Sequence, residues 1–112
     1  MWEIEAIVRS ILWQLAAKDY DGLINRFPKS TLPADELRTA IEQYGRTVVS
    51  PPLEGYDKLI GRYEAERSEY PYWSIDAPLW TKEEGRSDLT LQLDISYESG
   101  FPEVMLRDCH VL

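Results

Sequence analysis

The chain reads as an α+β domain, with N-terminal helices packed on one face of a curved, mainly antiparallel β-sheet. Three observations predict this. Residues 2–45 carry apolar positions at helical spacing, and residues 58–112 carry alternating patterns of strand type. The strand patterns are joined by short polar connections, which makes the C-terminal part a meander. Its clearest stretch is Trp73–Leu112, with three strand patterns and two turns. The whole of 1–112 is expected to form a single domain.

Ile4, Ile7, Val8, Ile11, Leu12 and Leu15 form one helical stripe, and Trp2 and Trp13 are expected to widen its buried face. The helix should run to Ala17 or Lys18. Asp19 is the expected N-cap of a short second helix reaching Asn25 or Arg26. A third helix should start with Pro33 at its first position, bear Asp35 and Glu36 in its first turn and stop at Gly45. Arg46 to Val49 reads as a short extended piece ended by Pro51 and Pro52.

Residues 58–66 are expected to be a strand, because Gly61 disfavours a helix interior, and residues 67–71 a turn. In the next strand Trp73, Ile75, Ala77 and Leu79 alternate with Tyr72, Ser74, Asp76 and Pro78. Pro78 cannot donate to a ladder, so it marks an edge or a bulge; a bulge there would exchange the facing of Leu79 and Trp80. After a hairpin loop at Thr81–Ser87, the residues Leu89, Leu91, Leu93, Ile95 and Tyr97 share a face. The last strand breaks phase. A bulge near Arg107–Asp108 would return Val104, Leu106, Cys109 and Val111 to the core.

Twenty acidic and twelve basic residues give a net charge of −8, which disfavours nucleic acid and anionic membranes as partners. A single cysteine, Cys109, suits a reducing cytoplasm. No apolar run is long enough to span a bilayer, and the charged start does not resemble a signal peptide.

Helices followed by a long antiparallel meander resemble the nuclear-transport-factor-like, or cystatin-like, cone fold shared with ketosteroid isomerases. The join Lys18-Asp19-Tyr20-Asp21-Gly22-Leu23 is similar to that family's entry into its second helix. Leu79-Trp80-Thr81, Glu83 through Leu91, and His110-Val111-Leu112 resemble a group of small uncharacterised bacterial proteins. The resemblance implies the cone fold and a bacterial setting. It implies no activity, since fold alone assigns none.

Candidate chemistry is sparse. Asp108 and His110 share a strand face, and a carboxylate beside an imidazole can form a general base, so they are the alternative pocket pair. Cys109 and His110 face opposite sides, so they cannot form a nucleophile–base pair without a bulge. No zinc-ligand spacing and no phosphate-cradling glycine loop is present, so no metal and no cofactor is expected. Gly85-Arg86-Ser87-Asp88 reads as turn chemistry that fixes the hairpin. The expected function is a protein-binding module, concretely an acidic immunity protein that neutralises a basic toxin domain. Its surface would comprise Asp76 and Asp94 on the sheet face away from the helices, Tyr72 and Trp80 as aromatic anchors, and Glu83 and Glu84 at the hairpin tip. The alternatives are a small-molecule pocket protein or enzyme of the cone type, such as an isomerase or hydrolase, and a structural homodimer without ligand.

Overall fold

The computed structural model describes residues 2–65 and 69–112. Helix α1 spans Trp2–Ala16 and buries Ile4, Val8, Ile11, Leu12 and Leu15. Trp13 does not widen that face. It is 69% exposed, because one residue beyond Leu12 is a turn of about 100° around the helix. The side chain of Trp2 lies outside the description. The helix closes in a Schellman motif: Lys18 N–H donates to the Leu15 carbonyl at 2.9 Å and Asp19 N–H to the Gln14 carbonyl at 3.2 Å. Lys18 holds the left-handed position at φ 61, where glycine is usual.

Asp19 then caps α2, Tyr20–Arg26, its Oδ1 accepting from Gly22 N–H at 3.1 Å. Helix α3, Ala34–Tyr44, starts one residue later than the sequence suggests: Pro33 is its N-cap rather than its first residue. Gly45, at φ 76, ends it.

The sheet contains β1 (Val48–Val49), β2 (Gly61–Glu64), β3 (Tyr72–Thr81), β4 (Gly85–Ser96) and β5 (Glu103–Val111), all antiparallel. Strand β4 lies between β3 and β5, while β1 and β2 share the other edge of β3. The strand expected over 58–66 is shorter and follows a 3-10 turn at Tyr56–Lys58. Residues 66–68, which include the start of the expected turn, lie outside the described residues.

Pro78 explains the split edge. Strand β2 pairs with Trp73–Asp76 and β1 with Trp80–Thr81, so neither reaches position 78. A missing N–H there breaks no ladder bond. The Pro78 carbonyl instead accepts from the buried Tyr56 hydroxyl at 2.6 Å.

Two irregularities set side-chain facing. Between Pro78↔Thr90 and Trp80↔Arg86, two steps of β3 span four of β4. An even number of extra residues preserves alternation, so Leu79 stays in the core and the exchange of Leu79 with Trp80 does not occur. Ser87, buried in this irregularity, donates to the Leu79 carbonyl at 2.8 Å, the turn-fixing role read from the sequence. The second irregularity makes Arg107 the extra residue, since Gln92 pairs with Asp108 but Leu93 with Leu106. This bulge brings Leu106 and Cys109 to the core, as the phase break suggests. Val111 does not follow; it is 56% exposed beside an open groove next to α3.

The core fills the helix-facing side. Ile75, Ala77, Leu79, Leu89, Leu91, Leu93 and Ile95 meet the stripes of α1 and α3, with Tyr56, Leu23 and Leu32 among them. Among the described residues no helix is long and apolar enough to cross a membrane.

Candidate functional site

The opposite face of the sheet is polar, and alternation in β3 and β4 builds it. Tyr72, Ser74 and Asp76 project from β3, and Gln92 and Asp94 from β4. Tyr63, 60% exposed, joins them from β2 opposite Ser74. The bulge in β5 adds Arg107 and Asp108.

Asp94 is the centre of this face. It is 3% exposed, and a carboxylate withdrawn from water must be paired. Tyr72 donates its hydroxyl to Oδ2 at 2.7 Å, and Arg107 Nη1 donates to the same oxygen at 2.7 Å. Burial first, then the hydrogen bond to Asp94, keeps the Tyr72 hydroxyl protonated above the usual tyrosine range. The hydrogen bond from Arg107 to Asp94 pushes the guanidinium pKa further up. The bulge is what allows this, because the extra residue turns a guanidinium onto the β4 carboxylate.

Asp76 remains half-exposed and accepts from Gln92 Nε2 at 3.1 Å. Together with Thr31, Ser74, Asp94, Arg107 and Asp108 these groups line a half-open cavity of 310 Å³. Its walls offer carboxylates, an amide and one guanidinium, a set suited to a cationic or multiply hydroxylated group.

Asp108 and His110 do lie side by side. Asp108 Oδ2 is 3.1 Å from His110 Nδ1, a close contact that lacks the alignment of a hydrogen bond. The other oxygen, Oδ1, accepts from the backbone N–H of Cys109 at 2.8 Å. Both side chains lie at the sheet edge, and Cys109 between them turns into the core. Burial, then the charge of Asp108, pushes the Cys109 thiol up to about 12, so it stays protonated at neutral pH and is no nucleophile.

The hairpin-tip carboxylates are engaged with the chain itself. Glu83 accepts from the Thr47 backbone N–H at 2.6 Å and from the Thr47 hydroxyl at 2.8 Å, which lowers its pKa. Glu84 accepts from the Tyr44 hydroxyl at 3.1 Å. They fasten the hairpin to the end of α3 and the start of β1. Trp80 is half-buried, with its ring against Gly85. The structure therefore brings Tyr72, Asp76 and Asp94 together and leaves Trp80, Glu83 and Glu84 at the far end of the hairpin. Sequence reasoning missed Arg107, Gln92 and Tyr63. The phase break at Arg107 was a usable signal for the first; the other two depend on strand register.

Among the described residues no group of three or more His, Cys, Asp or Glu side chains converges in a metal-holding arrangement. Comparison with curated proteins and with solved structures finds no match. A match to a family profile does extend over residues 12–112, nearly the whole chain, and the chain belongs to that family, the domain of unknown function DUF7668.

Proposed function

We propose that the protein is an acidic protein-binding module whose polar sheet face meets a basic partner, in the concrete form an immunity protein that neutralises a bacterial toxin domain. The observation that carries this reading is the Tyr72–Asp94–Arg107 cluster. It rigidifies the face that presents Asp76, Asp108 and Tyr63 toward solvent. A rigid face needs little ordering on binding, and aromatic groups beside carboxylates suit a cationic surface. The net charge of −8 adds long-range attraction for such a partner. Asp94, buried and paired, serves here as a positioning residue rather than a contact.

The cone fold belongs to the same reading, supported by the order of three helices before the antiparallel meander; a bacterial, cytoplasmic setting goes with it on the sequence resemblance and the single cysteine alone. The test is co-expression with the product of the adjacent gene. Growth should be arrested by that product alone and restored by this protein. A product harmless alone, or one that kills in its presence, would refute the reading.

A second reading has its own support. The 310 Å³ cavity, with a buried carboxylate, Tyr72 and Arg107 close by, suits a small polar ligand. That reading expects saturable amide shifts at Gln92, Asp94 and Arg107 when polyols or small amines are titrated. A flat response across such a panel would remove it.

A further inference from the structure

The geometry points to a strand-docking edge on β5, at Cys109–Val111, for a short extended segment of another protein that alternates apolar and basic residues. Backbone parity fixes which groups of β5 face outward. Leu112 N–H donates to the Asp88 carbonyl at 3.1 Å. In the register Leu89↔Val111, Thr90↔His110, Leu91↔Cys109, Gln92↔Asp108, opposed residues alternate between bonded and non-bonded pairs. His110 and Asp108 therefore bond β4, while Cys109 and Val111 turn their N–H and C=O groups to the outer edge.

The chain covers part of that edge. Leu106 N–H donates to Ser30 Oγ at 2.9 Å, and its carbonyl accepts from Thr31 and Leu32 at 3.0 and 3.1 Å. Cys109 N–H is taken by Asp108 Oδ1 at 2.8 Å. Beyond that point, among the described residues, the Cys109 carbonyl and both backbone groups of Val111 have no partner. Exposed edges of this kind accept an added strand.

A groove between β5 and α3 runs beside these groups. Two hollows of 380 and 320 Å³ share Ala40, Gln43 and Cys109. A strand added along β5 would drop alternate side chains into this groove, where Ala40, Leu89 and Cys109 offer apolar contact. By alternation the remaining side chains of the added strand lie on the polar face beside Asp108, while Asp35 and Glu36 add negative charge to the groove, so those side chains should be basic. A second copy of the chain fits less well. It would bring two molecules of charge −8 together and oppose their acidic rims. Asp108 borders both this groove and the polar face, but Ala40, Cys109 and Val111 lie on the groove side alone, so shifts at those residues distinguish this proposal from the polar-face reading.

The test is titration of ¹⁵N-labelled protein with the acetylated, amidated peptide Val-Lys-Val-Lys-Val. Saturable amide shifts are expected at Ala40, Cys109 and Val111, with slowed exchange of the Val111 amide. Val111→Pro removes an outward N–H and no β4 bond, so the remaining spectrum should persist while affinity falls about ten-fold. Ala40→Phe, which fills the groove, should weaken binding independently. The corresponding Val-Glu peptide should not bind. The proposal is overturned if shifts fall on Tyr72, Asp76 and Gln92, or if the Val-Glu peptide binds equally. Insensitivity to both variants, or no saturable response, also overturns it. So does slowed Val111 exchange that depends on protein concentration without peptide, which would assign the edge to a second copy.

Discussion

On the helix side of β4, Leu89, Leu91, Leu93 and Ile95 are sealed by apolar groups; on the other side of the same strand, Thr90, Asp94 and Ser96 are nearly as buried. The means differ. The first set is excluded from water by the helices. The second is covered by side chains of the sheet itself, with Tyr72 and Arg107 closing over Asp94. Alternation thus fixes which way a side chain points, whereas burial on a polar face depends on what the neighbouring strands lay across it. The dry side supplies stability, and the polar side supplies a rigid, charged surface.

The largest expected effect is on the dry side. Leu91→Ala should cost about 2–5 kcal/mol in a urea melt, because no polar group or water can fill the space left. A loss below about 0.5 kcal/mol, the range of a surface substitution, would mean that the two faces are assigned the wrong way round.

Asp94→Ala should cost less, about 1–3 kcal/mol, since Arg107 is exposed enough to be rehydrated while Tyr72 loses its acceptor. Crystallography or NMR should find Tyr72 more mobile in this variant. If neither stability nor Tyr72 order changes, the polar face is not organised by Asp94.

Cys109 packs into the dry side between the polar-face residues Asp108 and His110, and its titration reports on that burial. Its thiol is raised from an ordinary value near 9 to about 12, mainly by burial. Above pH 9 the unfolded chain loses this proton and the folded chain keeps it, so the unfolded state binds fewer protons. Stability should therefore fall as pH rises, by about 1.4 kcal/mol per pH unit at most, over the window from 9 to 12. Raised Tyr56 adds to the fall in the same direction. Urea melts of the protein and of Cys109→Ala across this window should show a shallower slope in the variant; equal slopes would contradict burial of the thiol.

Thr90→Val should have the smallest effect, within about 0.5 kcal/mol, because it removes one hydroxyl bond to the Asp88 carbonyl and keeps the shape. A larger loss would show that this part of the polar face resembles the core more than a surface.

Much of this was legible in the sequence because it is local. Asp19 and Gly45 mark helix ends by side-chain capping and positive φ, and the Leu89–Ile95 alternation sets a face. The bulge at Arg107 left a visible phase break. What stayed hidden depends on contacts between distant residues. The Arg107–Asp94 pair needs the β4–β5 register, and the bonds from Thr47 and Tyr44 to Glu83 and Glu84 need the hairpin to fold back on α3. Those contacts turned three of the expected surface carboxylates into structural ones, leaving Asp76 half-exposed and accepting from Gln92 within the polar face.

The polar sheet face is the working surface we propose. The most direct measurement is the stopped-flow association rate between this protein and the adjacent gene's product, for the native chain and for Asp76→Lys, over a range of salt. The rate should fall as salt shortens the screening length below about 10 Å, and the slower rate of Asp76→Lys should converge with the native rate at high salt. Rates that are equal at low salt would contradict that role of the polar face.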